Sequence, residues 1–266
     1  MVLTYSAVSM NAFNPTKRDP DHWILLRGLT RETRHWGGFG GQLATALPGS
    51  RVIALDLPGN GQLHQQRSAM HIHDMVQSCR VQLRARNINP PYRVLAMSLG
   101  AMVSVAWSHS HPKEVATQVL INTSLRRISP VYERLRPANY GTLLKLAAFG
   151  ASPETWERTI LQTTSNLASD VVLPLWVAWR KANPVSRANA LRQLLAAVRF
   201  CGPRAQPEAD TLLLASAQDR LVSVACSKAL AKHWQCDLRI HPRAGHDLPL
   251  DDGPWVADQV RRWLDN

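Results

Sequence analysis

Four short, almost wholly apolar runs alternate with longer amphipathic stretches in the first half of the chain, and this leaves few folds open. The runs are Trp23-Ile24-Leu25-Leu26, Val52-Ile53-Ala54-Leu55, Val94-Leu95-Ala96-Met97 and Val119-Leu120-Ile121. Each is too short for a buried helix and lacks alternating polar residues, as expected of a strand covered on both faces. Helices are predicted over residues 39–47 and 72–86, the second with Met75, Val76, Cys79 and Leu83 on one face. Pro90-Pro91 stops it. Strand–helix alternation of this kind predicts an α/β fold, a mostly parallel central sheet with helices on both faces. Residues 3–9 have strand character, and residues 11–21, with Pro15 and Pro20, read as loop.

The rhythm breaks after Thr123. Residues 125–209 contain no convincing strand, only helix-like stretches punctuated by Pro130, Pro137, Pro153, Pro174, Pro184, Pro203 and Pro207. Alternation resumes with the run Thr211-Leu212-Leu213-Leu214-Ala215, a helix over residues 223–233, a strand over 236–241 and a helix over 254–264. The expected organisation is a core made of residues 1–124 and 210–266, interrupted by a helical insertion at 125–209.

One turn stands out in the core. Tyr92-Arg93-Val94-Leu95-Ala96-Met97-Ser98-Leu99-Gly100-Ala101-Met102 reads as strand, sharp turn and helix with a serine at the apex. Small residues at Ala96 and Gly100 permit the tight turn, and helix N–H groups favour negative charge beside Ser98. The pattern is G-x-S-x-G with alanine in the first glycine position. On these residues alone, a serine capping a helix explains it equally well.

Two further polar residues emerge at strand ends on the same edge. Asp219 follows the strand through Ala215, and His246 lies on the loop after the strand ending near His241. A histidine can draw the proton from a serine as it attacks and return it to the leaving group. A carboxylate holds the imidazole tautomer and stabilises the imidazolium. The backbone N–H groups of Leu99 and Leu29 are the natural donors to a developing oxyanion.

At this point the chain resembles the α/β-hydrolase superfamily, in its capped, carboxylesterase-like serine hydrolases. The resemblance rests on Arg27-Gly28-Leu29, on the run from Val52 to Gly61 ending Asp-Leu-Pro-Gly-Asn-Gly, on Ala96-Met97-Ser98-Leu99-Gly100, on Gln218-Asp219-Arg220-Leu221-Val222 and on Ala244-Gly245-His246-Asp247-Leu248. These lie in family order and spacing from about residue 22 onward. The resemblance implies a Ser98–Asp219–His246 triad, an acyl-enzyme intermediate, and a helical cap formed by residues 125–209. It implies no cofactor and no metal. Two departures stand out: Arg27 where the family often has histidine, and Ala96 for the first elbow glycine.

Other candidates have blander readings. Asp56 looks structural, and Asp247 is read as a loop hydrogen-bonding residue. Asp251 and Asp252 suit a helix N-terminus. The pairs His71/His73 and His109/His111 lack the company of a metal site. His35, Trp36 and Met97 are candidates for the substrate pocket, with cap or core packing as the alternative.

Composition narrows the partners. Net charge is +12, and 25 of the 31 basic residues are arginine. Residues 125–209 carry twelve Lys/Arg against five Asp/Glu. The basic residues are scattered and no nucleic-acid motif accompanies them, so a solvated Arg-rich surface is the simplest reading. An anionic substrate or an acidic carrier protein at the insertion is the alternative. No run of about 18 apolar residues, no leader pattern and four cysteines without a C-x-x-C pair lead us to expect a cytoplasmic protein with reduced thiols. The function expected is hydrolysis of small carboxylic esters. Alternatives are hydrolysis of acyl groups on acyl-carrier protein or coenzyme A, and non-catalytic ligand binding on the same fold.

Overall fold

The computed structural model describes residues 21–142 and 151–266, so the strand character of residues 3–9 falls outside the described residues. Six strands form one sheet in the order β2-β1-β3-β4-β5-β6. They are β1 (His22–Leu26), β2 (Arg51–Leu55), β3 (Tyr92–Met97), β4 (Val115–Ile121), β5 (Asp210–Ser216) and β6 (Asp237–His241). All neighbours pair in parallel.

The apolar runs bury both faces because successive side chains alternate. Ile24, Leu26, Val94, Ala96, Leu120 and Leu213 point into one cluster. There they meet helix α2 (Ile72–Ala85), helix α3 (Leu99–Ser110) and helix α8 (Val224–Trp234). Trp23, Leu25, Leu95, Met97, Val119, Ile121, Leu212 and Leu214 point the other way. They pack on Phe39 and Leu43 of helix α1 (Phe39–Ala46) and on Leu248, Val256 and Val260 of helix α9 (Leu248–Leu264).

Between β4 and β5 the described residues hold helices and no strand. These are α4 (Val131–Arg134), α5 (Pro153–Thr164), α6 (Leu173–Ala182) and α7 (Arg187–Arg199). Leu161, Leu173 and Trp176 form a small core of their own. The last helix starts earlier than Pro254 suggests. Leu248 opens it, and the backbone bends at Asp252, where φ is −153°. Asp252 then accepts from Trp255 N–H at 3.0 Å and restarts the helix beyond the bend.

The strand order reverses between β1 and β3, and the crevice outside the carboxyl ends of such a pair is where open α/β sheets bind ligands. Gly100 brings the two elements together. A Cβ there would lie 2.5 Å from the Leu26 carbonyl oxygen and 2.6 Å from that of Arg27. Gly100→Ala should therefore destabilise the fold by about 1–3 kcal/mol, read from the denaturant midpoint. An unchanged midpoint would show that the strand gives way freely.

Candidate active site

Ser98 joins β3 to α3 with φ 52° and ψ −118°. Such a conformation is strained for a residue with a Cβ, at roughly 1–3 kcal/mol. The surroundings hold it there. Ser98 N–H donates to Ile121 O at 2.9 Å, and Thr123 Oγ1 donates to Ser98 O at 3.2 Å. The side chain is half-buried and faces Gly28, where a Cβ would stand 3.2 Å from Ser98 Cβ and 3.7 Å from Ser98 Oγ. Leu29 follows Gly28 directly. Leu99 opens α3, so its N–H is among the four that a helix leaves without an internal acceptor.

Asp219 and His246 meet across the ends of β5 and β6. His246 Nδ1 and Asp219 Oδ2 are 2.7 Å apart, and both side chains are buried. The other carboxylate oxygen, Oδ1, accepts from Leu221 N–H at 2.7 Å and Val222 N–H at 2.9 Å. The carboxylate is thus fixed by two backbone donors where it meets Nδ1 of the ring. Ser98 Oγ makes no hydrogen bond to either residue among the described ones; apo sites often close this contact only around substrate.

Asn122, which the strand pattern does not single out, ties these parts together. It follows β4 with φ 46°. Its Nδ2 donates to His246 O at 2.8 Å and Ser216 Oγ at 3.1 Å, and its Oδ1 accepts from Ser216 N–H at 2.9 Å. One buried amide therefore links the elbow's neighbouring strand, the Asp219 strand and the His246 loop. A polar residue ending the apolar run Val119-Leu120-Ile121 is the signal that could have revealed it.

The blander candidates take defined roles. Asp56 accepts from Thr33 N–H at 2.7 Å and Gln62 N–H at 2.9 Å, and burial raises its pKa. Asp247 is more than a loop hydrogen-bonding residue: it is buried and ion-paired with Arg27. Asp251 gathers Gly245 N–H at 2.6 Å and Asn166 N–H at 2.9 Å, with Ser165 Oγ also bonded. From the first turn of α9, where the sequence suggested it, it joins the His246 loop to the insertion.

The three pocket candidates lie in packing layers. Met97 and Trp36 belong to the α1/α9 cluster, and Trp36 stacks on Phe39. His35 stands edge-on between Trp176 and Trp179 of α6. The segment carrying it is bound to the insertion at several points. Arg31 Nη1 reaches Glu157 Oε2 at 2.6 Å, and Arg180 pairs with the same carboxylate. Thr30 N–H donates to Gln193 Oε1 at 2.9 Å, and Asn183 Nδ2 donates to Glu32 Oε2 at 3.1 Å.

The comparisons agree with this architecture. The sequence profile described as serine aminopeptidase, S33, matches residues 24–253. The chain belongs to this family of α/β-hydrolases. A search of curated proteins finds no match. Solved structures share the fold at low identity. A thermophilic esterase from Thermogutta terrifontis is 17% identical, with TM-score 0.67, covering 92% of this chain and 89% of its own. A carboxylesterase structure from the thaumarchaeon Nitrososphaera gargenis is 16% identical, with TM-score 0.72 and coverage of 92% and 90%. A 2-hydroxy-6-oxo-6-phenylhexa-2,4-dienoate hydrolase from Rhodococcus sp. strain RHA1 is 19% identical, with TM-score 0.71 and coverage of 93% and 91%. No helix among the described residues is long and apolar enough to cross a membrane.

The burial of His35 has a pH consequence. Burial first, then the nearby Arg31 and Arg27 charges, hold its pKa well below 6.5. The unfolded chain therefore binds the proton more readily than the folded one, and stability falls as pH drops below about 6.5. His35→Gln should flatten the acid side of a thermal-stability profile, and an unchanged slope would show that His35 is not the group responsible.

Proposed function

We propose that the chain is a serine hydrolase that cleaves carboxylic esters through an acyl-enzyme on Ser98. His246 takes the hydroxyl proton as Ser98 Oγ attacks the carbonyl carbon and returns it to the departing alcohol. Asp219 holds the imidazole by Nδ1 throughout. Leu29 and Leu99 N–H groups receive the oxyanion. Water, activated by the same imidazole, then releases the acid and restores Ser98. No cofactor takes part. Residues 125–209 act as a cap over this site, since the loop carrying Leu29 is fastened to their helices.

The observation that carries the reading is the buried Asp219–His246 pair set beside a strained serine elbow at the sheet's switch point. The esterase and carboxylesterase among the structures of like fold favour ester substrates. A fluorophosphonate should label Ser98 in the native protein and fail on Ser98→Ala. His246→Ala and Asp219→Asn should slow turnover of the best ester in a panel of p-nitrophenyl esters, lactones and acyl-coenzyme A thioesters by about 10⁴-fold. A folded protein that is never labelled would instead be a binding protein on this fold.

A second reading has its own observation. A cavity of about 730 Å³ in the insertion is lined by Trp156, Arg180, Lys181 and Arg187 together with the start of α5, and among the described residues no carboxylate lines it. Such a surface would favour an acyl group borne on coenzyme A or an acidic carrier protein. In that case kcat/KM for acyl-coenzyme A should fall steeply with added salt while that for neutral esters holds. Equal salt dependence for both would remove this reading.

A further inference from the structure

Arg27 stands at the end of β1, and Asp247 follows His246 in the chain. Arg27 Nη1 donates to Asp247 Oδ1 at 3.0 Å, and Nη2 bonds to Oδ2. The two side chains are 2% and 3% exposed. The Trp36 ring lies 4.8 Å from the guanidinium carbon and holds its flat face. We propose that this couple positions the site, fixing the loop that carries Leu29 and the loop that carries His246 at a set separation around Ser98.

The connectivity supports it. The His246 loop is tied to β4 through Asn122, to β5 through Asp219, and to the insertion through Asp247 N–H, which donates to Thr164 O at 2.7 Å. Among the described residues, its hydrogen bonds to the segment 27–36 are those of Arg27 and Asp247 alone. Gly28, next to Arg27, is the residue pressed against Ser98. Each end of the ion pair is therefore one residue from a group touching Ser98 or acting on it. Stability alone gives little reason for such a pair, because apolar residues of similar volume often replace a buried ion pair without loss. Two parallel bonds between planar groups do fix direction as well as distance. A displacement of about 1 Å at such a site can slow chemistry roughly 10²-fold.

The inference rests on the proposed chemistry, and its test separates the two. The charged and titratable groups around the His246 loop are Arg243 on the loop itself, Asp219 and Arg220 after β5, Asp247, Asp251 on α9, the His241–Asp252 pair at the end of β6, Arg27, and Arg31 and His35 on the loop after β1, with Glu157 of α5 beyond them. The measurement is the rate of fluorophosphonate labelling of Ser98 against pH. Asp247→Asn leaves the Arg27 cation unpaired against the loop that carries the imidazole, so the acid limb should move to lower pH by roughly one unit. Arg27→Gln leaves the Asp247 carboxylate unpaired, so the limb should move to higher pH. The double variant should restore the limb but label at least about 10-fold more slowly on the plateau, because the tie is gone. Arg27→Lys keeps the charge and loses the fork, so only the plateau should fall.

Limbs that stay in place or move together, or plateaus that all match the parent, would overturn the positioning role. So would a set in which no variant folds, since the pair would then be a structural strut. A folded parent protein that is not labelled would defeat the proposed chemistry instead.

Discussion

The approach of α3 to the carbonyl end of β1 is the constraint from which the rest of the site follows. Gly100 lies against the Leu26 and Arg27 carbonyl oxygens, closer than any side chain allows. That contact sets the angle at which the chain leaves β3, and the angle puts Ser98 at positive φ facing Gly28. The strain at Ser98 is tolerated because β3 is paired in parallel on both sides up to the turn, with β1 through Ala96 and with β4 through Met97, the one register shift lying at the far end between Tyr92 and Arg93. Loosening either strand pair would let the turn relax and carry the hydroxyl away from the ends of β5 and β6. The rigidity of the sheet and the geometry at Ser98 are one property.

Charge is the second organising influence, and here the chain departs from the usual avoidance of buried ions. Arg27, Asp247, Arg31 and Glu157 are almost fully desolvated, and Arg180, on the same Glu157 carboxylate, is partly buried. Removing one member of such a group costs about 3–5 kcal/mol, because the partner is left charged in a dry environment. Burial lowers the pKa of Arg31 while the Glu157 charge opposes that shift. Burial is the main reason the His35 imidazole resists protonation, and the nearby Arg31, Arg27 and Arg180 charges add to it. The surface that gives the chain its +12 charge thus has a buried counterpart at the seam between loop and insertion.

The strands were legible because each is a run with no polar interruption, and that pattern has few rivals. The serine turn and the meeting of Asp219 with His246 were legible because small residues flank Ser98 and the two polar residues follow adjacent strands of a parallel sheet. What stayed hidden was the polar side of the insertion. Helix α7 buries Asn189 and Gln193, an i, i+4 pair that a hydrophobicity pattern assigns to solvent. Gln193 Nε2 donates to Asn60 Oδ1 at 2.8 Å and Ser68 Oγ at 3.0 Å, and Asn189 Oδ1 accepts from Ser68 N–H at 3.0 Å. These contacts join residues far apart in sequence, and only the tertiary arrangement makes burial favourable for them. The early start of α9 was hidden for a similar reason: Pro254 marks the restart beyond a bend, not the first turn. His35 and Trp36 sit on a loop whose neighbours come from another part of the chain, so local sequence could not separate pocket from packing.

The same seam links the insertion to the reacting end of the molecule. Thr30 N–H is held by Gln193, Arg31 by Glu157, Glu32 by Asn183, and His35 by two tryptophans of α6. Leu29 therefore lies one residue from a backbone group bonded to the insertion. A displacement of α6 and α7 large enough to admit a bulky substrate would pull on Leu29 unless all of these contacts broke together. Breaking them would expose Arg31, Arg180 and the carboxylates of Glu157 and Glu32 to water, where each regains hydration, so the opened state is less unfavourable than the closed pairs alone suggest. On the proposed chemistry, substrate admission and the placing of the Leu29 donor would be coupled through the contacts of residues 30–35 with the insertion.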